Sequence, residues 1–156
     1  MRSFFIKVSR AILALFGVTV FTACPVPVVA MYATPYSDYE IKGKVVDEIT
    51  KEPVKGVRVI RSKAYPSEGQ IKVDEYDKDT LYTNDGTFMF SGTEDTFGGY
   101  SHIKVEDIDS LENGLYESNE VLVELTQAKR PKPDGWYQGF YQADNVVVEL
   151  TPKKSE

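Results

Sequence analysis

Residues 39–62 read YEIKGKVVDEITKEPVKGVRVIRS, and this stretch decides the fold class. From Tyr39 to Asp47 the side chains alternate: Ile41, Gly43 and Val45 fall on one face, Lys42 and Lys44 on the other. That period of two belongs to a strand, because successive Cβ atoms point to opposite faces of a sheet. Glu48 to Gly56 is a charged turn, punctuated by Pro53 and Gly56. Val57 to Ser62 (VRVIRS) reads as a second strand.

The pattern repeats outward from there. Asp85-Gly86 predicts a hairpin turn between a strand at Thr80–Thr83 and one at Thr87–Phe90. Ser101 to Asp107 places Ile103 and Val105 inward. Glu120 to Thr126 does the same with Val121, Val123 and Leu125, and Asn145 to Thr151 with Val146, Val148 and Leu150. This makes about seven strands of ordinary length. No stretch sustains a helical period. The expected fold is therefore all-β: an antiparallel two-sheet sandwich over residues 39–152, with 153–156 as a tail. Two long loops are expected. One is Ala64 to Asp79, carrying Asp74, Glu75, Asp77 and Asp79; the other is Gln127 to Asp144, rich in proline, glycine and aromatics.

Met1 to Ala23 has the three parts of an export signal. Arg2, Lys7 and Arg10 are basic, Ala11 to Phe21 is uncharged and apolar, and the small residues Thr22 and Ala23 precede Cys24. The apolar run is shorter than the roughly twenty residues a spanning helix needs. Pro25 and Pro27 stop it from being extended as a helix. Residues 1–23 are thus expected to be a signal peptide and 24–38 a proline-bearing tether. The chain's net charge is −6, and the basic residues of the signal segment make the remainder more acidic still. That balance disfavours nucleic acid and adsorption to anionic lipid, both of which need clustered Lys and Arg.

Phe21-Thr22-Ala23-Cys24 resembles a bacterial lipobox, whose cysteine is acylated and becomes the first mature residue. The resemblance implies lipidation at Cys24 and a bilayer as partner; no acidic cluster follows the cysteine as a surface-export signal would, so the domain is expected to face the periplasm. Gly43 to Asp47, Glu52-Pro53, Gly56 to Val59 and Thr83 to Phe88 (TNDGTF) together resemble the carboxypeptidase-regulatory-like, transthyretin-like (prealbumin-like) β-sandwich repeat. The whole chain resembles a narrower group, the radical SAM-associated lipoproteins of Bacteroidetes-type bacteria. Four features carry this: Met31-Tyr32 with Pro35-Tyr36, Asp79 to Thr83, Asp107-Ile108-Asp109 before Glu112-Asn113-Gly114, and Asp144 to Leu150. These resemblances imply an anchored accessory or interaction module of the cell envelope, with a protein partner there and no catalytic residue. They also leave room for a substrate modified by the associated enzyme.

The residues themselves agree with a non-enzyme. His102 is the single histidine and lies opposite Ile103 and Val105 in the pleat, so a triad or histidine-rich zinc site lacks partners. One cysteine cannot hold an iron–sulfur cluster. A concave acidic cleft would reopen the question, because paired carboxylates can cleave glycosides. No cofactor is expected, with one candidate exception. Asp107, Asp109, Glu112 and Asn113 alternate as oxygen ligands do around calcium, although turn capping by Asp and Asn explains the same spacing. The aromatic group Trp136, Tyr137, Phe140 and Tyr141 is the candidate binding site. Burial would make it a cap on one end of the sandwich; exposure would favour stacking on a carbohydrate or peptide.

Overall fold

A computed structural model describes residues 34–95, 99–109, 114–129 and 131–153. Every regular element among them is a strand: β1 (Tyr36–Asp47), β2 (Val57–Ser67), β3 (Gln70–Thr83), β4 (Thr87–Asp95), β5 (Tyr100–Asp107), β6 (Asn119–Glu124), β7 (Thr126–Gln127) and β8 (Tyr137–Leu150). They form two four-stranded sheets, in the orders β4-β1-β8-β7 and β3-β2-β5-β6. The all-β, two-sheet sandwich expected from the alternation is the observed fold.

Alternation builds the core. Ile41 and Val45 of β1, Val57 and Val59 of β2, Ile103 and Val105 of β5, and Val148 and Leu150 of β8 have no exposed surface. Each contributes about 1.5–3 kcal/mol by leaving water. The charged residues between them stay on the outer faces, so one register satisfies both sheets.

The structure departs from the sequence reading at five places. First, the sheets are not wholly antiparallel: β1 and β8 pair in parallel, from Tyr36 beside Tyr137 to Asp47 beside Leu150. A parallel neighbour needs a long crossover, and here the whole second sheet lies between these two strands in sequence. Second, Asp85-Gly86 is not a hairpin turn. β3 pairs with β2 and β4 with β1, so the turn carries the chain from one sheet to the other. Asp85 Oδ1 accepts bonds from Thr83 Oγ1 (3.0 Å) and Thr87 N (2.9 Å), and Gly86 O accepts from Val45 N (2.7 Å). The local turn chemistry is as expected, but docking onto β1 decides its use.

Third, Ala64–Asp79 is no loop. β2 runs on to Ser67, turns at Glu68 and Gly69 (φ 53° and 80°) and returns as β3. Two successive left-handed residues give the tight turn that matches strand twist. Fourth, half of the expected loop Gln127–Asp144 is strand, because β8 begins at Tyr137. A two-residue strand, β7, brings the named strands to eight. Fifth, β1 begins at Tyr36, inside the stretch expected to be tether.

β8 also carries two register shifts against β1, between Tyr36 and Asp38 and between Ile41 and Gly43. Each coincides with a left-handed residue on β8, Gly139 (φ 115°) and Asn145 (φ 61°). These are bulges, in which two residues oppose one.

Candidate functional site

One end of the first sheet presents an aromatic ledge. Register places Asp95, Tyr36 and Tyr137 in one row across β4, β1 and β8, and Thr93, Asp38 and Phe140 in the next outward row. The bulge at Gln138-Gly139 is what brings Tyr137 and Phe140 to the same face. They are three apart in sequence, and an unbroken strand would send them to opposite faces. The rings of Tyr36 and Tyr137 lie 5.5 Å apart, tilted by 50°. Tyr36 is 42% exposed and Trp136 54%. Asp134 and Tyr137 exchange backbone hydrogen bonds at 3.0 Å, so Gly135 and Trp136 occupy the tip of a tight turn. Tyr36 N fixes that tip by donating to Trp136 O at 2.9 Å. Asp38 Oδ1 accepts from Thr93 Oγ1 at 2.6 Å. Burial, and then the negative charge of Asp38, raises the Tyr137 phenol above its ordinary value.

The four aromatic candidates therefore separate. Trp136 is exposed, at the tip of the turn. Tyr137 and Phe140 are half-buried on the outer face. Tyr141 pairs with Tyr39 in register and packs against the core.

Directly behind the ledge, the interior stops being apolar. Arg61 lies 1% exposed between the sheets, where its neighbours in phase, Val57 and Val59, are core residues. Its Nη1 pairs with Glu94 Oε1, and Glu94 is itself only 7% exposed. The guanidinium stands over the Tyr39 ring, 4.2 Å from its centroid, and donates to Tyr39 Oη at 3.3 Å and to Ser101 Oγ at 3.2 Å. Asp79, at the surface, is 3.6 Å from Nη1 and accepts the Tyr39 hydroxyl at 3.0 Å. Burial, partly offset by the Arg61 charge, pushes the Tyr39 phenol up to about 12. Glu94 Oε2 and Ser37 Oγ are buried with no hydrogen-bond partner. A buried ion pair is weak evidence for stability, since its desolvation offsets its attraction. Arg61, Tyr39, Asp79 and Glu94 line a cleft of about 290 Å³ together with Asp77, Ser91, Gly92, Thr93 and Asp95.

The other sequence candidates lie elsewhere. Cys24, Glu112 and Asn113 fall outside the described residues, as does the signal segment. Asp107 acts as a turn cap: its Oδ2 accepts from Tyr116 N at 2.9 Å and its Oδ1 from Asp109 N at 3.3 Å. Asp109 packs its carboxylate against Gly56, where a Cβ would meet Oδ2 at 1.8 Å. Among the described residues no group of His, Cys, Asp and Glu is arranged to hold a metal ion. His102 lies on the outer face of the second sheet, with Nε2 3.5 Å from Glu120 Oε2.

Sequence reasoning missed Arg61 and Glu94. The signal was present: each charge sits in phase with buried apolar residues, Arg61 with Val57 and Val59, Glu94 with Phe88 and Phe90. A charge at an inward position of a strand either breaks the strand or meets a partner.

The class that these observations define is the two-sheet β-sandwich. No protein-family model matches the chain, and no curated protein matches it. Solved structures do. The group B streptococcus pilus 2b backbone protein aligns over 72% of this chain and 40% of its own, with TM-score 0.43 and 16% identity. The chain thus spans less than half of that protein. The dioxygenase domain of a dioxygenase carbohydrate-binding protein fusion from the cellulolytic bacterium Streptomyces sp. SirexAA-E aligns over 76% of this chain and 84% of its own, with TM-score 0.43 and 12% identity. At that distance neither structure transfers a ligand, a substrate or an assembly to this chain.

Proposed function

We propose that this chain is a non-catalytic binding module of the cell envelope, held to a membrane by acylated Cys24, whose aromatic ledge stacks on carbohydrate. The observation that carries the reading is the exposure of Trp136, 54%, at the turn tip whose backbone Tyr36 N holds, with Tyr36 itself 42% exposed. Exposed rings flanked by polar side chains match sugars, which offer apolar faces and hydroxyl rims. Asp38, Thr93 and Gln142 supply the polar groups of the same face.

The acids behind the ledge do not favour catalysis. Arg61 Nη1 stands between Glu94 and Asp79, at the place a reacting bond would need between paired carboxylates. The anchor rests on the lipobox-like Phe21 to Cys24, and the link to a radical SAM enzyme on sequence resemblance alone. A lipid chain contributes about 0.8 kcal/mol per buried methylene, so several chains hold a domain at a bilayer without help from its surface charge.

Tryptophan fluorescence titrated with soluble cell-wall and plant oligosaccharides tests the ledge, because Trp136 is the single tryptophan. Saturable quenching, lost in Tyr36→Ala with unchanged melting, is expected; for Trp136→Ala, which has no tryptophan to read, calorimetric titration with the same oligosaccharide is expected to show binding lost. A ligand whose affinity is indifferent to both substitutions would overturn the reading. Intact mass of the chain taken from its membrane tests Cys24: acyl mass on a chain beginning at Cys24 is expected, and a full-length unacylated form refutes the anchor.

A further inference from the structure

The cleft at Arg61 opens on the side where both sheets end, β4 in one and β3 in the other. Asp77 and Asp79 of β3 form one wall, and five consecutive residues of β4, Ser91 to Asp95, form the other. A strand that ends a sheet leaves half of its N–H and C=O groups unpaired and is a template for another strand. Three observations say what would fill this one.

The first is charge. Asp77, Asp79, Glu94 and Asp95 line the cleft against Arg61, with Lys63 3.5 Å from Asp95. Neither an ion pair nor a side-chain hydrogen bond engages Asp77 among the described residues. The second is Glu94, more than nine-tenths buried, whose Oε2 has no hydrogen-bond partner. The third is Gly92. It stands in phase with the inward residues Phe88, Phe90 and Glu94, and a Cβ there would come within 3.1 Å of the Tyr39 ring. Its φ is not left-handed, so the backbone does not require glycine. Glycine here gives the Tyr39 ring room against β4 and leaves the backbone bare where it lines the cleft.

We propose that this cleft is a docking site for an extended, lysine- or arginine-bearing segment of a partner polypeptide, which adds to the sheet as a strand beside β4. Main-chain bonds to Ser91–Asp95 supply the register, and alternate side chains of the incoming strand enter the cleft over Gly92. A basic head there meets Asp77, Asp79 and Glu94. A ligand without a cation leaves Asp77 unmatched, and an acidic one is repelled.

The test uses the full chain and two labelled ten-residue peptides, alternating Thr-Lys and alternating Thr-Glu, read by fluorescence anisotropy and by backbone hydrogen exchange. The Thr-Lys peptide is expected to bind and to slow exchange at 91–95. Asp77→Asn, which breaks no contact of the fold, is expected to weaken it roughly two- to five-fold, the scale of one exposed charge pair. Gly92→Val is expected to abolish binding while the far-ultraviolet spectrum keeps its strand signature. Trp136→Ala is expected to leave binding unchanged, which separates this site from the carbohydrate ledge. The proposal is overturned if the Thr-Lys peptide does not bind, if Thr-Glu binds equally, or if exchange slows on the ledge and not along β4.

Discussion

Arg61 and Tyr39 show what one inward-facing polar residue demands of its surroundings. A guanidinium has five N–H donors and no way to shed its charge, so it must be given acceptors wherever it is buried. Here Glu94, Ser101 and the Tyr39 hydroxyl serve, and the Tyr39 ring offers its negative face. Removing Arg61 alone would strand Glu94. The same burial makes Tyr39 a reporter of pH. Its phenol titrates near 12 in the folded chain against an ordinary 10. The unfolded chain thus loses the proton first. Stability from this group is intact below pH 10 and falls between about pH 10 and 12, by on the order of 2–3 kcal/mol for a two-unit shift. In Tyr39→Phe that alkaline loss should be smaller by this amount, measured by urea unfolding from pH 8 to 12. Parallel curves for the two proteins would refute it. Asp47 runs the other way. Backbone N–H groups of Thr50 and Ile49 and the Tyr116 hydroxyl hold its carboxyl below the ordinary value, so its contribution is lost as pH falls.

At the scale of the strand, the sequence was informative about faces and uninformative about partners. Ile41 with Val45, Val57 with Val59 and Val148 with Leu150 announced their inward positions by alternation alone, and the structure buries all of them. The turn at Asp85-Gly86 was equally clear in its chemistry, yet a turn records only local dihedrals. Which sheet receives the strand after it depends on β1, some forty residues away in sequence, whose Val45 N binds Gly86 O. Ala64–Asp79 was hidden for a different reason. Its residues are charged or exposed along most of β3, and an edge strand with solvent on most sides has no apolar period to read. The aromatic ledge depended on a single extra residue in β8. Gly139, at φ 115°, holds the bulge that turns Tyr137 and Phe140 to one face. Gly139→Ala should therefore cost about 1–3 kcal/mol of stability through backbone strain. Urea unfolding measures that cost directly. A neutral result would mean that the bulge does not need a left-handed residue.

On the scale of the whole molecule, the two proposed sites share one end of the sandwich. The row that carries Tyr36 and Tyr137 is also the row of Asp95, which borders the cleft. The residues gathered there come from β1, β2, β3, β4, β5 and β8, and no window of sequence contains more than a fraction of them. This is why Trp136 was legible as a candidate and Arg61 was not. Trp136 is conspicuous by itself, while the inward phase of Arg61 shows only that a partner is needed, and not that the partner is Glu94 of the other sheet.

The parallel pairing of β1 with β8 has a mechanical consequence. Force applied between residue 36, on the side of the proposed anchor, and residue 150 pulls these two neighbours lengthwise past each other. The bonds from Tyr36–Tyr137 to Asp47–Leu150 then bear the load together. In the antiparallel β2–β3 hairpin, pulling the open ends apart breaks the pairs one at a time, beginning with Val57 and Thr83. Single-molecule stretching between handles at 36 and 150 should give a markedly higher rupture force than stretching between handles at 57 and 83, and equal forces would contradict it. A domain tethered at one end of β1 and gripped by a ligand beside it would behave as a stiff link in a line under tension.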